Sequence, residues 1–293
     1  MKTESTNKII FKKYKKLYIN KDKIIEKQES ELKNKDKIID KLINEIKFLK
    51  KPKGYKCSVN GKIYENIIYN IVKKCSINGK QFNTQTKEEL AGSSNKIDIE
   101  CNFRGNKNIG IEVKKSKTPD WMQCSIKFDQ QKNSWKVSKG KISQNCLLIF
   151  TDLINNINIY NGDVPPFMEK NITHDEWLSI KMKTTKWDDN YIDISSNTIS
   201  KLYKSKGCTY IQISDGYGLY HLGEDICNFG VPLFNIEQQL RIRTKIHSRK
   251  TAKGFCSLSV TASCKPKNIK DLIPSKYSLD DKNRLPPILL WYN

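Results

Sequence analysis

The sequence predicts an α/β chain: a mixed β-sheet core flanked by helices, behind a long N-terminal helix and ahead of a β-rich C-terminal subdomain. Three observations carry this. Isoleucines recur at helical spacing over residues 63–72. Between Lys96 and Lys117 isoleucine alternates with charge in two runs on either side of a short turn, the period of a half-buried hairpin. Beyond it, short apolar runs of strand length return at 146–150, 209–213, 219–222 and 254–260.

The boundaries suggested are 1–52, 55–165 and 200–293. In the first segment Tyr18, Ile25, Leu32, Ile39 and Ile46 recur every seven residues, with Leu42 and Leu49 at the matching d positions. Lys21, Gln28 and Lys35 occupy the earlier d positions. This predicts a lysine-rich helix with a coiled-coil seam at its C-terminal end. Two readings stay open: a homodimer through that seam, or a solvated helix packing on its own body. Lys51-Pro52-Lys53-Gly54 ends it.

Residues 58–75 predict an amphipathic helix with Ile63, Ile67, Ile68, Ile71 and Val72 on its apolar face and Glu65 as its only acid. A polar loop follows, ending in Ala91-Gly92-Ser93-Ser94-Asn95, and then the hairpin. Pro119 suits the first turn of a helix through Trp121, Met122, Ile126 and Phe128. The continuous run Cys146–Phe150 predicts a strand buried on both faces. Residues 152–205 are loop-rich, with a Trp-containing helix near 174–183. Strands then follow on either side of Asp215-Gly216, and again at Gly254–Val260.

Net charge is +22, which suits a polyanion such as nucleic acid. An AT-rich genome also enriches Lys, Ile and Asn, so the total alone decides little. Only five of the 53 basic residues are Arg, and where they sit is more informative. The nine cysteines form no CxxC pair and the three histidines lie far apart, which argues against zinc and against a disulfide framework. There is no apolar leader and no run near the ~20 residues that span a bilayer. The expectation is a soluble, intracellular protein of a reducing compartment, cytoplasm or nucleus, without a membrane partner.

The hairpin carries the chemistry. Alternation puts Ile97 and Ile99 on one face and Asp98 and Glu100 on the other. On the return strand Ile111 and Val113 oppose Glu112 and Lys114. A turn centred on Gly105 gives opposed residues an index sum of 210 and sets Asp98 against Glu112. Opposed side chains have Cβ atoms about 4.5–5.5 Å apart, close enough for two carboxylates to share one Mg²⁺, with Mn²⁺ as the alternative. An even-length loop would put the two acids on opposite faces. Such an ion activates water and stabilises a pentavalent phosphorane. Lys114 would orient the water or neutralise the phosphate.

Asp98 followed by Glu112-Val113-Lys114 resembles the PD-(D/E)xK nuclease superfamily, the fold of many restriction endonucleases and related repair and viral nucleases. The resemblance covers roughly residues 58–151. It implies a restriction-endonuclease-like core with the Asp and the ExK on a central hairpin. It implies a further acid from the preceding helix, which is Glu65, and the backbone carbonyl of Val113 as a metal ligand. It also implies a Gln near the site on the following helix, which is Gln123, with Gln130 as the weaker candidate. Ile97 stands where the motif name has Pro. The tripeptide alone is uninformative, since Glu31-Leu32-Lys33 and Glu45-Ile46-Lys47 match it in the N-terminal helix.

In the last third Arg241, Arg243, Lys245, His247 and Arg249 all fall on odd positions, and three of the chain's five arginines are among them. As a strand they predict one basic face about 26 Å long at ~3.3 Å per residue, suited to tracking phosphates. The solvated edge strand is the alternative. Together these readings predict a Mg²⁺-dependent DNA endonuclease with Asp98, Glu112, Lys114 and Gln123 as catalytic residues and Asp98, Glu112, Val113 and Glu65 on the metal. The competing class is a non-catalytic nucleic-acid-binding or scaffold protein with a coiled-coil interaction helix.

Overall fold

A computed structural model describes residues 28–43, 53–77, 80–81, 83–84, 97–103, 107–138 and 142–291. The chain divides into two compact units, Met1–Asn60 and Gly61–Asn293. In the first, residues 28–43 form helix α1, and its Leu32, Ile38, Ile39, Leu42 and Ile43 are all exposed. The remaining heptad positions, Tyr18, Ile25, Ile46 and Leu49, lie outside the described residues, as does the loop around Gly92.

Helix α2 (Lys53–Val72) comes next in the chain. Three short strands follow: β1 (Cys75–Ile77), β2 (Lys80–Gln81) and β3 (Asn83–Thr84). The hairpin is β4 (Ile99–Phe103) and β5 (Lys107–Lys114). After it come β6 (Met122–Asp129), β7 (Ser134–Val137), α3 (Gln144–Asn155), α4 (His174–Lys183), β8 (Asn190–Ile194) and α5 (Thr198–Ser205). The chain ends with β9 (Cys208–Ile213), β10 (Gly218–His221), β11 (Gln238–Ser248), β12 (Ser257–Pro266) and β13 (Leu289–Trp291). The fold is mixed α/β. Its larger sheets have the orders β10-β9-β5-β4-β3 and β7-β6-β12-β11-β8, and β13-β1-β2 is a small third sheet.

The hairpin register pairs Ile99 with Ile111, Glu100 with Gly110 and Phe103 with Lys107, an index sum of 210. On one face, Ile99, Cys101, Ile109, Ile111 and Val113 pack with Tyr64, Ile68 and Val72 of α2. The buried stripe of α2 is thus Tyr64, Ile68 and Val72, four residues apart. Ile63 and Ile67, expected on that stripe, are exposed, because they lie about a quarter turn off it. The other face of this sheet looks toward a second core, where Ile211 and Ile213 of β9 meet Leu202 and Tyr203 of α5 and the apolar face of the second sheet.

Two predicted elements change type. The expected helix after Pro119 is strand β6: Met122, Cys124 and Ile126 are buried and alternate with Gln123, Ser125 and Lys127, and the strand pairs with β12 and β7. A period of two wins over the looser helical spacing. The expected strand Cys146–Phe150 lies in helix α3. Ser143 caps it by accepting from the Cys146 N–H, and the buried residues are Cys146, Phe150 and Ile154, again four apart. Its apolar run reads equally as either element until the cap and the continuation to Ile154 are counted. The predicted helix at 174–183 is α4, with a capping box between Thr173 and Glu176.

The C-terminal third is not set apart from the core. β9 lies parallel to β5, and β12 pairs with β6, so residues 200–293 complete both large sheets. The crossover into β9 depends on two glycines. Gly207 follows α5 with φ +97°, the left-handed conformation that ends helices. Its carbonyl oxygen seats against β5 at Gly110, where an added Cβ would stand 2.3 Å from it and 2.8 Å from the Cys208 Cα. Gly110→Ala is therefore expected to lower unfolding free energy by about 2 kcal/mol or more in a denaturant titration. Gly61→Ala in α2, where nothing lies within 4 Å, should raise it by up to ~1 kcal/mol.

Candidate functional site

The alternation that buries Ile111 and Val113 against α2 turns Glu112 and Lys114 to the opposite face. Asp98 stands one residue before β4, beyond the last ladder pair. Its Oδ2 accepts the Val113 N–H at 2.9 Å, so a side chain extends the ladder by one rung. Lys114 Nζ lies 2.5 Å from Glu112 Oε1 and 3.7 Å from Asp98 Oδ2. The structure thus brings Asp98, Glu112 and Lys114 together.

A second lysine completes the arrangement. Lys206, at the end of α5, places Nζ 2.6 Å from Glu112 Oε2, with its side chain only 3% exposed. Glu112 is 1% exposed and holds an ammonium group on each oxygen. Cys208 Sγ also donates to Oε2, at 3.5 Å. Both lysines lie over the ring of Tyr203, at 5.6 Å for Lys114 and 5.2 Å for Lys206. That ring is fixed by its hydroxyl, which donates to the Trp121 carbonyl at 2.8 Å. Cation–π attraction is strongest where water is excluded, as it is here.

The electrostatics follow from burial and from who sits next to whom. Burial, then the charge of Glu112, pushes Asp98 up to about 7, although Lys114 and Lys206 pull the other way. Burial alone would raise Glu112, but the two lysines outweigh it and hold the carboxyl below the usual range. Burial would lower both lysines, and the Glu112 charge instead keeps them firmly protonated. Burial raises Glu65, against the pull of Lys114.

Could a hard divalent ion use these groups? The donors are of the right kind: two carboxylates, with Glu65 nearby, and Mg²⁺ takes one or two carboxylates while keeping several waters. Asp98 is raised first by burial and then by the charge of Glu112, and a bound cation would offset the second. Among the described residues, no group of three or more His, Cys, Asp or Glu side chains forms a ready-made metal site. Sharing Glu112 would also require a lysine to leave one of its oxygens.

Gln123 is elsewhere. It lies on β6, in the second sheet, opposite Ser263, and its Oε1 is buried without a hydrogen-bond partner among the described residues. The helix expected to aim it at the carboxylates does not exist. Gln130 lies just past the end of that strand. The basic stripe is a strand, β11, but not an unbroken face. Arg241 binds Asp189 at 2.5 Å and Asp120 at 3.3 Å, and Arg243 binds Asp120 at 2.9 Å. Ser263 also donates to Asp120. A register shift between Ile246 and Ser248 breaks the alternation at His247, which bonds Ser259, and Arg249 falls beyond the strand. Lys245 alone among these five keeps both its place on the face and a side chain outside an ion pair among the described residues.

Sequence reasoning missed Lys206, Tyr203 and Cys208, in a stretch read as loop followed by strand. The available signal was Gly207 between an apolar helical triplet (Ile199, Leu202, Tyr203) and the strand at 209–213. Compared with protein-family models, with curated proteins and with solved structures, the chain finds no match. The site's chemistry is therefore argued from its own residues.

Two outcomes are expected. Asp98 has a folded-state value of about 7 against an ordinary 3.8. Its contribution to stability is fully present below the unfolded value and is lost as pH rises through about 7. In metal-free protein, Asp98→Asn should melt progressively above wild type as pH increases from 4 to 8; parallel melting profiles would refute this. Replacing Arg241 and Arg243 together by Ala strips a little-exposed Asp120 of both cations. It should cost about 3 kcal/mol in denaturant unfolding, whereas Lys245→Ala should cost less than about 0.5 kcal/mol.

Proposed function

We propose that the chain is a metal-dependent nuclease that hydrolyses phosphodiester bonds, acting on DNA as an endonuclease. The observation that carries this reading is the convergence of Asp98, Glu112 and Lys114 on one face of a hairpin, with Lys114 in reach of both carboxylates. The order of elements agrees with the PD-(D/E)xK resemblance only as far as the hairpin. α2, which carries Glu65, precedes the hairpin; the helix and strand expected directly after it are instead strand β6 and helix α3, and α5 and β9 are the elements that lie beside β5. The helix beside the carboxylates ends in lysine where the resemblance implies a glutamine.

Asp98 and Glu112, with the Val113 carbonyl, would hold Mg²⁺ or Mn²⁺. A bound ion of this kind polarises a phosphoryl oxygen and makes its water a stronger nucleophile. Lys114 stays protonated beside Glu112, so it acts as a cation and hydrogen-bond donor, not as a base. Drawn off Glu112, its ammonium would hold the attacking water or offset charge on the phosphate. The ring of Tyr203 lies beneath it. The charge of +22 and Lys245 on β11 favour a polyanion.

One observation favours the second reading, a non-catalytic nucleic-acid-binding or scaffold protein. Each oxygen of Glu112 already has an ammonium partner, so the cluster also satisfies itself as a structural ion group. Activity separates the two. With Mg²⁺ or Mn²⁺ the purified chain should cleave DNA in preference to RNA when both are offered side by side. Asp98→Ala and Lys114→Ala should each reduce the rate by about 10²-fold or more while remaining folded. No cleavage of either nucleic acid by wild type would end the enzyme reading.

A further inference from the structure

Lys206 is held too firmly and too near the acids to be an incidental surface charge. It closes α5 just before the left-handed Gly207, and Gly110 is the only residue type that lets the Gly207 carbonyl seat against β5. The two glycines together bring the Lys206 ammonium onto Glu112 Oε2. That ammonium lies over the ring of Tyr203, which is itself tied to Trp121. Lys114 and Lys206 divide the work. Lys114 reaches both Asp98 and Glu112, so it occupies the space a shared ion would take. Lys206 holds the other oxygen of Glu112, where a second ion of a two-ion centre would bind.

Resting on the metal-dependent reading above, we infer that Lys206 serves as a built-in second cation beside Glu112, so that the site takes one divalent ion per chain. The charges favour this. Asp98, Glu112 and Glu65 with Lys114 and Lys206 leave one net negative charge when all are ionised. One divalent ion reverses it to one net positive charge. A second ion would add two more positive charges within a few ångströms of a fixed ammonium, since paired ions in such centres lie about 3.5–4 Å apart. The water-poor surroundings of Glu112 make that repulsion stronger than it would be in solvent. Lys206 is thus a positioning residue: it fixes Glu112 and limits metal loading.

The test is a Mn²⁺ titration of the full-length chain after chelator treatment, following free Mn²⁺ by its electron paramagnetic resonance signal. Wild type should bind one ion per chain. Lys206→Met keeps an unbranched side chain of similar length and removes the charge, and it should bind two. Lys206→Arg keeps the charge and should stay at one. Two ions on wild type, or one on a folded Lys206→Met chain, would overturn the inference. Should Lys206→Met not fold, Lys206→Gln carries the same expectation, and the wild-type count still decides against the idea if it is two. A wild type that cleaves nucleic acid yet fails these counts sinks only the second-cation role. A wild type that binds no Mn²⁺ and cleaves nothing sinks both readings.

Discussion

Everything at the site depends on keeping one carboxylate, Glu112, charged where water scarcely reaches. Desolvating a carboxylate and an ammonium costs several kcal/mol per ion, and good geometry is needed to offset it. Here the geometry is a lysine on each oxygen and an aromatic ring beneath both lysines. Removing either lysine leaves Glu112 half satisfied. Removing Glu112 leaves two buried ammonium groups side by side. The cluster is a weak source of stability compared with apolar residues of equal volume.

The two sheets divide the labour around it. The β10-β9-β5-β4-β3 sheet carries the acids and Lys114, and packs its other face on α2. Helix α5 carries Tyr203 and Lys206 across the gap, anchored at its start by Gln238 of β11, whose Oε1 accepts the Ile199 N–H at 2.8 Å. The second sheet supplies that anchor and the Trp121 carbonyl. Its own polar face is busy with Asp120, Arg241 and Arg243, which restrain one another more than they reach outward.

Much of the hairpin was legible from its letters. A period of two is unambiguous when Ile and acid alternate, and the turn length fixes which acid faces which. The register follows directly. The basic strand was legible for the same reason, but its ion partners were not, because Asp120 and Asp189 approach from elsewhere in the chain. The types of β6 and α3 were misread where short apolar runs fit both periods, and tertiary pairing decided. Gln123 went with them, since its placement presumed a helix. Lys206 was invisible for a different reason: nothing local links a lysine after a short helix to a glutamate 94 positions earlier (112 to 206).

That separation has a consequence for how the protein matures. β4 and β5 are neighbours in sequence and can pair as soon as they are made, whereas β9 joins β5 only after the intervening strands and helices exist. A nascent chain, or a fragment cut in the 115–197 interval, would carry the acids and Lys114 but lack the second ammonium and the ring. The complete cluster therefore requires both sides of this long separation to be in place. Incomplete chains are kept chemically distinct from finished ones by topology alone.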